Sequence, residues 1–275
     1  KLATRLQTEG HIEDGKLTAS ARIAELSGTL RDYPVTLSSE LFWRDDTLDV
    51  ESANLSSGDT QISVNGTVGK TLDLDWSLDS RNLAELYPEA QGQLEASGHL
   101  AGETAAPTIE ARFNGSSLRL ADYSIEAIDG EINVDPLNWQ QLDVRFAASK
   151  LDIQGQHLES VKVNANPQQI LASIDADSVK ADIELAGKLD DQGWRGKLET
   201  AVIDSTDFST WTLKAPTAVS LSRDSISSDA LCLKTEQQAE ICSSFHRGGE
   251  DWDIHLGLTR IPLQMMHQWI PPELE

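Results

Sequence analysis

The stretch LDLDWSLDSRNLAELYPEAQGQLEASGHLAGETAAPTIEARF, residues 72–113, decides the fold class of this chain. Its first part alternates strictly between apolar and polar residues, the period of a strand with one apolar face, with the apolar positions at Leu72, Leu74, Trp76 and Leu78. One short helical turn follows, which Asn82 or Ser80 can cap and Pro88 ends. The alternation then returns on both sides of a Gly-Glu-Thr-Ala-Ala-Pro turn. The unit is therefore strand, helical turn, strand, turn and strand.

A weaker copy of this unit covers residues 252–275. It opens with an alternating strand from Trp252, and helical spacing between Leu263 and Trp269 stands where the first copy has its helical turn. The second copy stops where the first one continues into its next strand. We therefore expect residues 1–275 to be a single elongated repeat segment of a larger protein, and the missing initial Met agrees with that expectation.

The same alternation continues over most of the chain, interrupted by turn signals such as Ser27-Gly28. It predicts an all-β protein with about two dozen strands of roughly five to ten residues each. Aromatic residues make up only 5% of the chain, and alanine and glycine are frequent, so a thick sandwich core is hard to fill. An elongated, curved and repetitive sheet whose apolar face lines a groove fits this composition better. Alternation by itself does not separate such a groove from a packed interior.

In the groove interpretation, the inward residue of each alternating pair lines the groove. The predicted lining residues are Val64, Leu72, Leu74, Trp76, Leu78, Leu94, Leu100, Ile109, Phe113, Leu118, Leu120, Ile132, Val134, Leu142, Val144, Phe146, Leu151, Ile153, Val161, Val163, Val179, Ile183, Leu185, Leu198, Leu213, Ile254, Leu256 and Leu258.

The charge balance excludes several classes of partner. The chain has 22 Lys and Arg against 45 Asp and Glu, a net charge of -23, which argues against nucleic-acid binding. No polybasic patch suits an anionic membrane surface. No apolar run approaches the roughly 18 residues that a membrane-spanning helix needs.

The two cysteines lie in the stretch SDALCLKTEQQAEICSSF. When this stretch is folded into a hairpin about Gln237, Cys232 and Cys242 face each other across two strands, which predicts a disulfide within residues 229–245. Two free thiols are the alternative. A zinc site is a poor one, because His246 alone does not complete four ligands. A disulfide would indicate an oxidising compartment.

Patterns of catalytic residues are missing from the sequence. The six histidines show no HxxxH or HExxH spacing, and no GxSxG, SxxK or phosphate-binding glycine motif occurs. Two pairs, Asp73 with Asp75 and Asp175 with Asp177, have a spacing that could bind calcium, although any solvated strand face shows the same spacing. We therefore expect a protein that is not an enzyme, with no metal and no cofactor.

Two phrases resemble the TamB family, the inner subunit of the bacterial translocation and assembly module, within the AsmA-like group of bridge-like lipid transfer proteins. The first phrase is a short Asn-Leu-x-x-Leu-x-Pro helix followed by Gly-x-Leu-x-Ala-x-Gly and Gly-x-Thr-Ala-Ala-Pro, here Asn82, Leu83, Leu86, Pro88, Gly92, Leu94, Ala96, Gly98, Gly102, Thr104, Ala105, Ala106 and Pro107. The second is a cysteine hairpin, a Trp strand and a Leu-Pro-Leu-like helix, here Cys232, Cys242, Trp252, Ile261, Pro262, Leu263, Pro271 and Pro272.

The resemblance implies a β-taco, a long sheet bent into an apolar groove, in a periplasmic segment of a protein anchored in the inner membrane. It also implies an outer-membrane barrel partner of the TamA type. Phospholipid acyl chains would lie in the groove and pass from the inner to the outer membrane. Two alternatives remain at this point: a scaffold that assists assembly of outer-membrane or autotransporter proteins by strand pairing, and a spacer with a packed interior.

Overall fold

The computed structural model describes residues 2–13, 16–137, 141–190, 193–206, 209–222, 225–249 and 251–261. They form one short 3-10 turn, Leu83–Glu85, and nineteen strands. The strands are β1 Leu2–Glu13, β2 Lys16–Leu30, β3 Tyr33–Arg44, β4 Thr47–Ser57, β5 Thr60–Val68, β6 Thr71–Ser80, β7 Ala90–Glu103, β8 Thr108–Leu120, β9 Tyr123–Val134, β10 Asp143–Ile153, β11 Gln156–Ala165, β12 Gln169–Ala176, β13 Val179–Asp190, β14 Gly193–Ser205, β15 Trp211–Leu213, β16 Thr217–Leu221, β17 Ser225–Lys234, β18 Glu240–Gly248 and β19 Asp251–Thr259.

The chain divides into two compact units, Lys1–His157 and Leu158–Glu275. In the first unit, strands β1 to β10 form an antiparallel meander in which each strand pairs with the next. In the second unit, β11 to β14 form a meander as well. Strand β14 then pairs with both β15 and β16, these both pair with β17, and β18 and β19 follow. The predicted all-β class is confirmed.

Residues 72–113 form the elements that their sequence predicts. Strand β6 is followed by the 3-10 turn, then by β7 and β8. Asn82 is the residue that caps the turn, since its Oδ1 accepts a hydrogen bond from the Ala84 amide at 3.3 Å. Ser80, the other candidate cap, is buried in the sheet and pairs with Thr60 through their hydroxyl groups at 2.8 Å.

The strands are longer than the alternation suggests. β2 has 15 residues and continues through Ser27-Gly28, so the turn predicted there is wrong. Gly28 instead pairs with Val35, and the chain reverses at Arg31 and Asp32, both in the left-handed region with φ of 53° and 69°. A register shift in β2 after Ile23 lets the strand continue where the apolar period breaks.

The second copy of the repeat is described only in its first part. Its predicted strand is present as β19. The predicted helix between Leu263 and Trp269 lies outside the described residues. The relation between the two copies, and the single repeat segment, stay predictions.

Candidate functional site

One face of the first unit is apolar from strand to strand. Side chains that lie opposite each other in register share a face of the sheet. Leu74 lies opposite Leu100, which lies opposite Ile109, and Ile109 lies opposite Val134. The next apolar rows run parallel to this one, and acidic or polar residues occupy the other side.

We call this surface the apolar face of the first unit. Strand register and packing place on it these predicted residues: Val64, Leu72, Leu74, Trp76, Leu78, Leu94, Leu100, Ile109, Phe113, Leu118, Leu120, Ile132, Val134, Val144, Phe146, Leu151 and Ile153. Leu142 is half-buried and immediately precedes β10.

The second unit has an apolar face of its own. Val163, Ala172 and Ile183 form one row across β11, β12 and β13. Register places on this face the remaining predicted residues and two tryptophans, Val161, Val163, Val179, Ile183, Leu185, Leu198, Leu213, Ile254, Leu256, Leu258, Trp194 and Trp211.

Both apolar faces are only partly covered. In β6, the four apolar residues are half-buried and alternate with exposed polar ones. Nine apolar side chains are buried in the described part of the chain, which is few for a packed interior: Val35, Val50, Ala148, Leu151, Trp194, Leu198, Ala201, Trp211 and Ala239. In β19, Leu256 is 67% exposed. Apolar surface is therefore available on these faces.

Aromatic rings on the apolar faces lie close over glycines of neighbouring strands. A β-carbon at Gly98 would lie 2.8 Å from the ring of Trp76, and one at Gly130 would lie 2.3 Å from the ring of Phe113. Phe146 approaches from the other side of Gly130, with its ring centroid 6.5 Å from that of Phe113. This arrangement protects the glycine backbone and keeps bulky rings close to the sheet.

A buried carboxylate closes the turn end of the first unit's apolar face. Glu85, in the 3-10 turn, is 7% exposed. Its Oε2 accepts hydrogen bonds from the Thr60 amide at 2.8 Å and the Thr60 hydroxyl at 2.7 Å. The Ser57 hydroxyl donates to the Glu85 carbonyl at 3.2 Å. Arg31 also donates to the Leu86 carbonyl at 3.1 Å. The turn thus joins the β4–β5 hairpin and the β2–β3 hairpin.

The hydrogen bonds of Glu85 govern its charge state. Burial acts to raise its pKa, but donors from the Thr60 hydroxyl, the Asp59 and Thr60 amides and Asn82 outweigh burial, so the pKa lies below its usual value. The sequence patterns above did not single out Glu85 as a structural residue. The spacing Asn-x-x-Glu at a helix start, typical of a capping box, was the available signal.

Concavities lie on the polar side of the first unit, and the sequence patterns did not predict them. One of about 690 Å³ lies between β1 and β4 around Phe42, with His11, Thr18 and Arg44 among its lining residues. Phe42 pairs with Ser20 and Asp49 in register, so its ring is on the polar side. Arg44 forms an ion pair with Asp49 there.

A ladder of alternating charges crosses the polar side between β6 and β10. His99 contacts Asp75 at 2.8 Å. The Glu131 carboxylate forms ion pairs with Arg112 at 3.1 Å and with Arg145 at 3.3 Å. A hydrogen bond from Arg145 holds the pKa of Asp143 below its usual range. These groups are exposed, so the ladder contributes little stability and mainly aligns side chains across the strands.

Asp73, Asp75 and Asp175, considered above as calcium ligands, have other partners. Asp73 and Asp75 flank His99, with Asp73 at 3.6 Å from its Nε2. Asp175 pairs with Lys180 at 2.9 Å. The spacing of Asp73 and Asp75 therefore follows from their position on the solvated side of β6. The expected absence of metals and cofactors stays a prediction.

The predicted disulfide is confirmed. Cys232 of β17 and Cys242 of β18 are bonded and lie opposite each other in register. The bond lies on the face of the hairpin opposite Leu233 and Ile241, because neighbours in a strand point to opposite sides. Lys214 and Glu240 form an ion pair beside it at 2.7 Å.

A thiol assay tests the disulfide directly. We expect no reactive thiol in protein denatured without reductant and two after denaturing reduction, because the chain has two cysteines and they are bonded to each other. Comparison of Cys232→Ser/Cys242→Ser with wild type should show a loss of about 2–3 kcal/mol in unfolding free energy for so short a loop. Two thiols before reduction would contradict the bond.

Comparison with known proteins identifies the family of this chain. A family model described as TamB, N-terminal domain, matches residues 1–275. No curated protein and no solved structure matches. Among the described residues, no helix has the length and apolar character needed to cross a membrane.

Proposed function

This chain belongs to the TamB N-terminal domain family, and from that membership we propose that it is a periplasmic segment that carries phospholipids along its apolar faces. In this proposal the parent protein is anchored in the inner membrane and meets an outer-membrane barrel of the TamA type. The lipids travel from the inner to the outer membrane. The segment works without catalysis, as a surface along which acyl chains move. Family membership supports a function in the bacterial cell envelope.

The observation that carries the proposal is the run of apolar residues, half-buried or exposed, that lie opposite each other across successive strands. The row Leu74, Leu100, Ile109 and Val134 crosses four strands without a polar side chain. Acyl chains that lie across these rows would bury methylene groups worth about 0.8 kcal/mol each. A shift by one strand spacing, about 4.8 Å, exchanges like contacts for like contacts. The energy barrier to movement is therefore small.

The remaining features suit the same role. The polar side carries most of the acidic residues that make the net charge -23, which keeps an apolar object from associating with copies of itself. The Cys232–Cys242 disulfide favours an oxidising compartment, such as the periplasm.

Site-specific photo-crosslinking in cells tests the proposal. The probe is placed in the parent protein at Leu74, Val144 and Ile183, which lie on the apolar faces. Each has a matched control one residue away on the opposite side of the same strand, Asp75, Arg145 and Asp182. We expect phospholipid adducts at the three apolar positions and none at the controls or at Asp73. Phospholipid adducts at both sets would indicate non-specific membrane contact and would refute the proposed path.

A second candidate is a scaffold for assembly of outer-membrane or autotransporter proteins. All nine residues of β19 are exposed, and β19 pairs along one side with β18. An exposed strand of this kind can receive a strand of another protein by β-augmentation. In the same crosslinking experiment, a probe at His255 of β19 would then give adducts to unfolded outer-membrane proteins, and the apolar positions would give no lipid adducts.

A further inference from the structure

Two polar atoms are buried without a partner on the apolar face of the second unit. They are Nε1 of Trp194, a residue that is 7% exposed, and Oγ of Ser228, a residue that is 8% exposed. In the described part of the chain, the only other buried side-chain atom without a partner is Oδ1 of Asn133. Buried polar groups are almost always hydrogen-bonded, so each of these atoms indicates a missing partner.

Register assigns both residues to the apolar face. Trp194 lies opposite Leu189 and Leu221, and Ser228 lies opposite Val219 and Phe245. The side chains directly opposite these two residues are therefore apolar and offer no acceptor. The missing partner must come from outside these side chains.

The position of the Trp194 indole is set by the backbone beneath it. Its ring lies over two paired glycines, because a β-carbon would meet the ring at 2.6 Å at Gly187 and at 2.7 Å at Gly196. The ring can lie this close to the sheet only because these positions have no side chain. The indole is therefore held against the sheet at Gly187 and Gly196.

The chemistry of the donor limits what can bind it. An indole Nε1–H donates one hydrogen bond and accepts none, so its partner is an acceptor such as a carbonyl oxygen. A phosphate is a poor candidate at Trp194, since the residues directly opposite it, Leu189 and Leu221, are uncharged. Arg247 stands in the same row beyond Ile226, but it lies three strands from Trp194, about 14 Å at 4.8 Å per strand, and over the ring of Trp252. A neutral acceptor attached to apolar chains remains, and the ester carbonyl of a phospholipid has that composition.

We propose that Trp194 marks an ester-binding site on the apolar face of the second unit. Its Nε1–H donates to the ester carbonyl of a diacyl phospholipid, and the hydroxyl of Ser228, two strands away, donates to an ester carbonyl of a second lipid on the same face. Leu221, opposite Trp194 and 49% exposed, turns aside to admit the ester. This inference rests on the proposed function and adds a place where moving lipids pause.

The test compares an ester with an ether lipid on the full chain. Protein labelled with ¹⁵N-tryptophan has up to seven indole signals, and the probes are monomeric dihexanoyl phosphatidylcholine and its dihexyl ether analogue, which lacks the carbonyls. We expect the Trp194 indole proton to move downfield with the ester lipid only. Trp211, equally buried on this face, is the matched control and should respond alike to both lipids.

A second measurement uses affinity. Loss of one net hydrogen bond corresponds to about a fivefold change in binding. Wild-type protein should therefore bind the ester lipid about fivefold tighter than the ether, and Trp194→Phe should remove that preference while keeping a ring over the glycines. If Trp194→Phe does not fold, the other six Trp→Phe variants assign the remaining indole signal to Trp194 by elimination. The shifts of the wild-type signals with the two lipids then test the ester site without the variant.

Each outcome separates this inference from the proposed function. Equal shifts of Trp194 with both lipids, or shifts of other apolar-face signals without Trp194, would overturn the ester site and leave lipid binding intact. No shift of any signal with either lipid would overturn both. A downfield Trp194 signal already present without lipid and unchanged by either lipid would identify water as the partner and refute the ester site.

Discussion

Replacement of Glu85 by alanine is expected to lower the free energy of unfolding by about 3 kcal/mol. The change removes the acceptor for the Thr60 amide and hydroxyl, which then remain buried without a partner. Thr60 itself is 1% exposed, so water does not replace the lost carboxylate easily. Chemical denaturation followed by circular dichroism measures the effect. The matched control is Glu89→Ala in the same connection, an exposed residue that should change stability by less than about 0.5 kcal/mol.

The charge of Glu85 makes its contribution depend on pH. Because the folded pKa is lowered, the carboxylate stabilises the fold fully above its usual pKa of 4.5, and this stabilisation is lost as the pH falls through the folded value. Glu85→Gln keeps the shape and removes the charge. The stability difference between wild type and Glu85→Gln should therefore be constant near pH 7 and shrink below about pH 4.5. A difference that does not change with pH would contradict the role of the charge.

Replacement of Gly66 by alanine is expected to destabilise the first unit by about 3–4 kcal/mol or to prevent its folding. Gly66 has φ of 127°, a conformation that residues with a side chain rarely adopt. A β-carbon there would also lie 1.9 Å from the backbone carbonyl oxygen of Asp73 on the next strand. Backbone atoms cannot turn aside as a side chain can, so β5 and β6 must separate.

A second glycine, Gly155, separates the cost of backbone strain from the cost of the collision. Gly155 has φ of 83°, but a β-carbon added there would have no neighbouring atom within 4 Å, so Gly155→Ala adds backbone strain without a collision. We expect it to cost about 1–2 kcal/mol. Thermal and chemical unfolding should therefore show that Gly66→Ala is much less stable than Gly155→Ala. Equal losses would mean that strain alone matters and that the strands tolerate the added carbon.

Several features could be predicted from the sequence because they depend on residues that are close along the chain. Strict alternation in residues 72–78 determines which side chains share a face, whatever lies opposite. The short turn capped by Asn82 and the hairpin that brings Cys232 to Cys242 are local as well. Register places the predicted residues of each strand on a common face for this reason, and their role in lining a lipid groove stays a prediction.

Other features depend on residues that the sequence separates widely. Glu85 and Thr60 are 25 positions apart, and only the pairing of β4, β5 and β6 brings them into contact. The same holds for Trp194, whose N–H lacks a partner because of the strands that surround it. The pairing of Ser27 and Gly28 with Thr36 and Val35 of β3 likewise carries β2 through its apparent turn.

By itself, the sequence determined the strand period and predicted the polar and apolar sides and the disulfide, since each follows from backbone geometry over a few residues. The tertiary structure alone decided which polar groups are buried and which glycines lie beneath aromatic rings. The physical reason is that burial depends on distant strands brought together by cross-strand register, and one residue of shift moves every side chain to the other face.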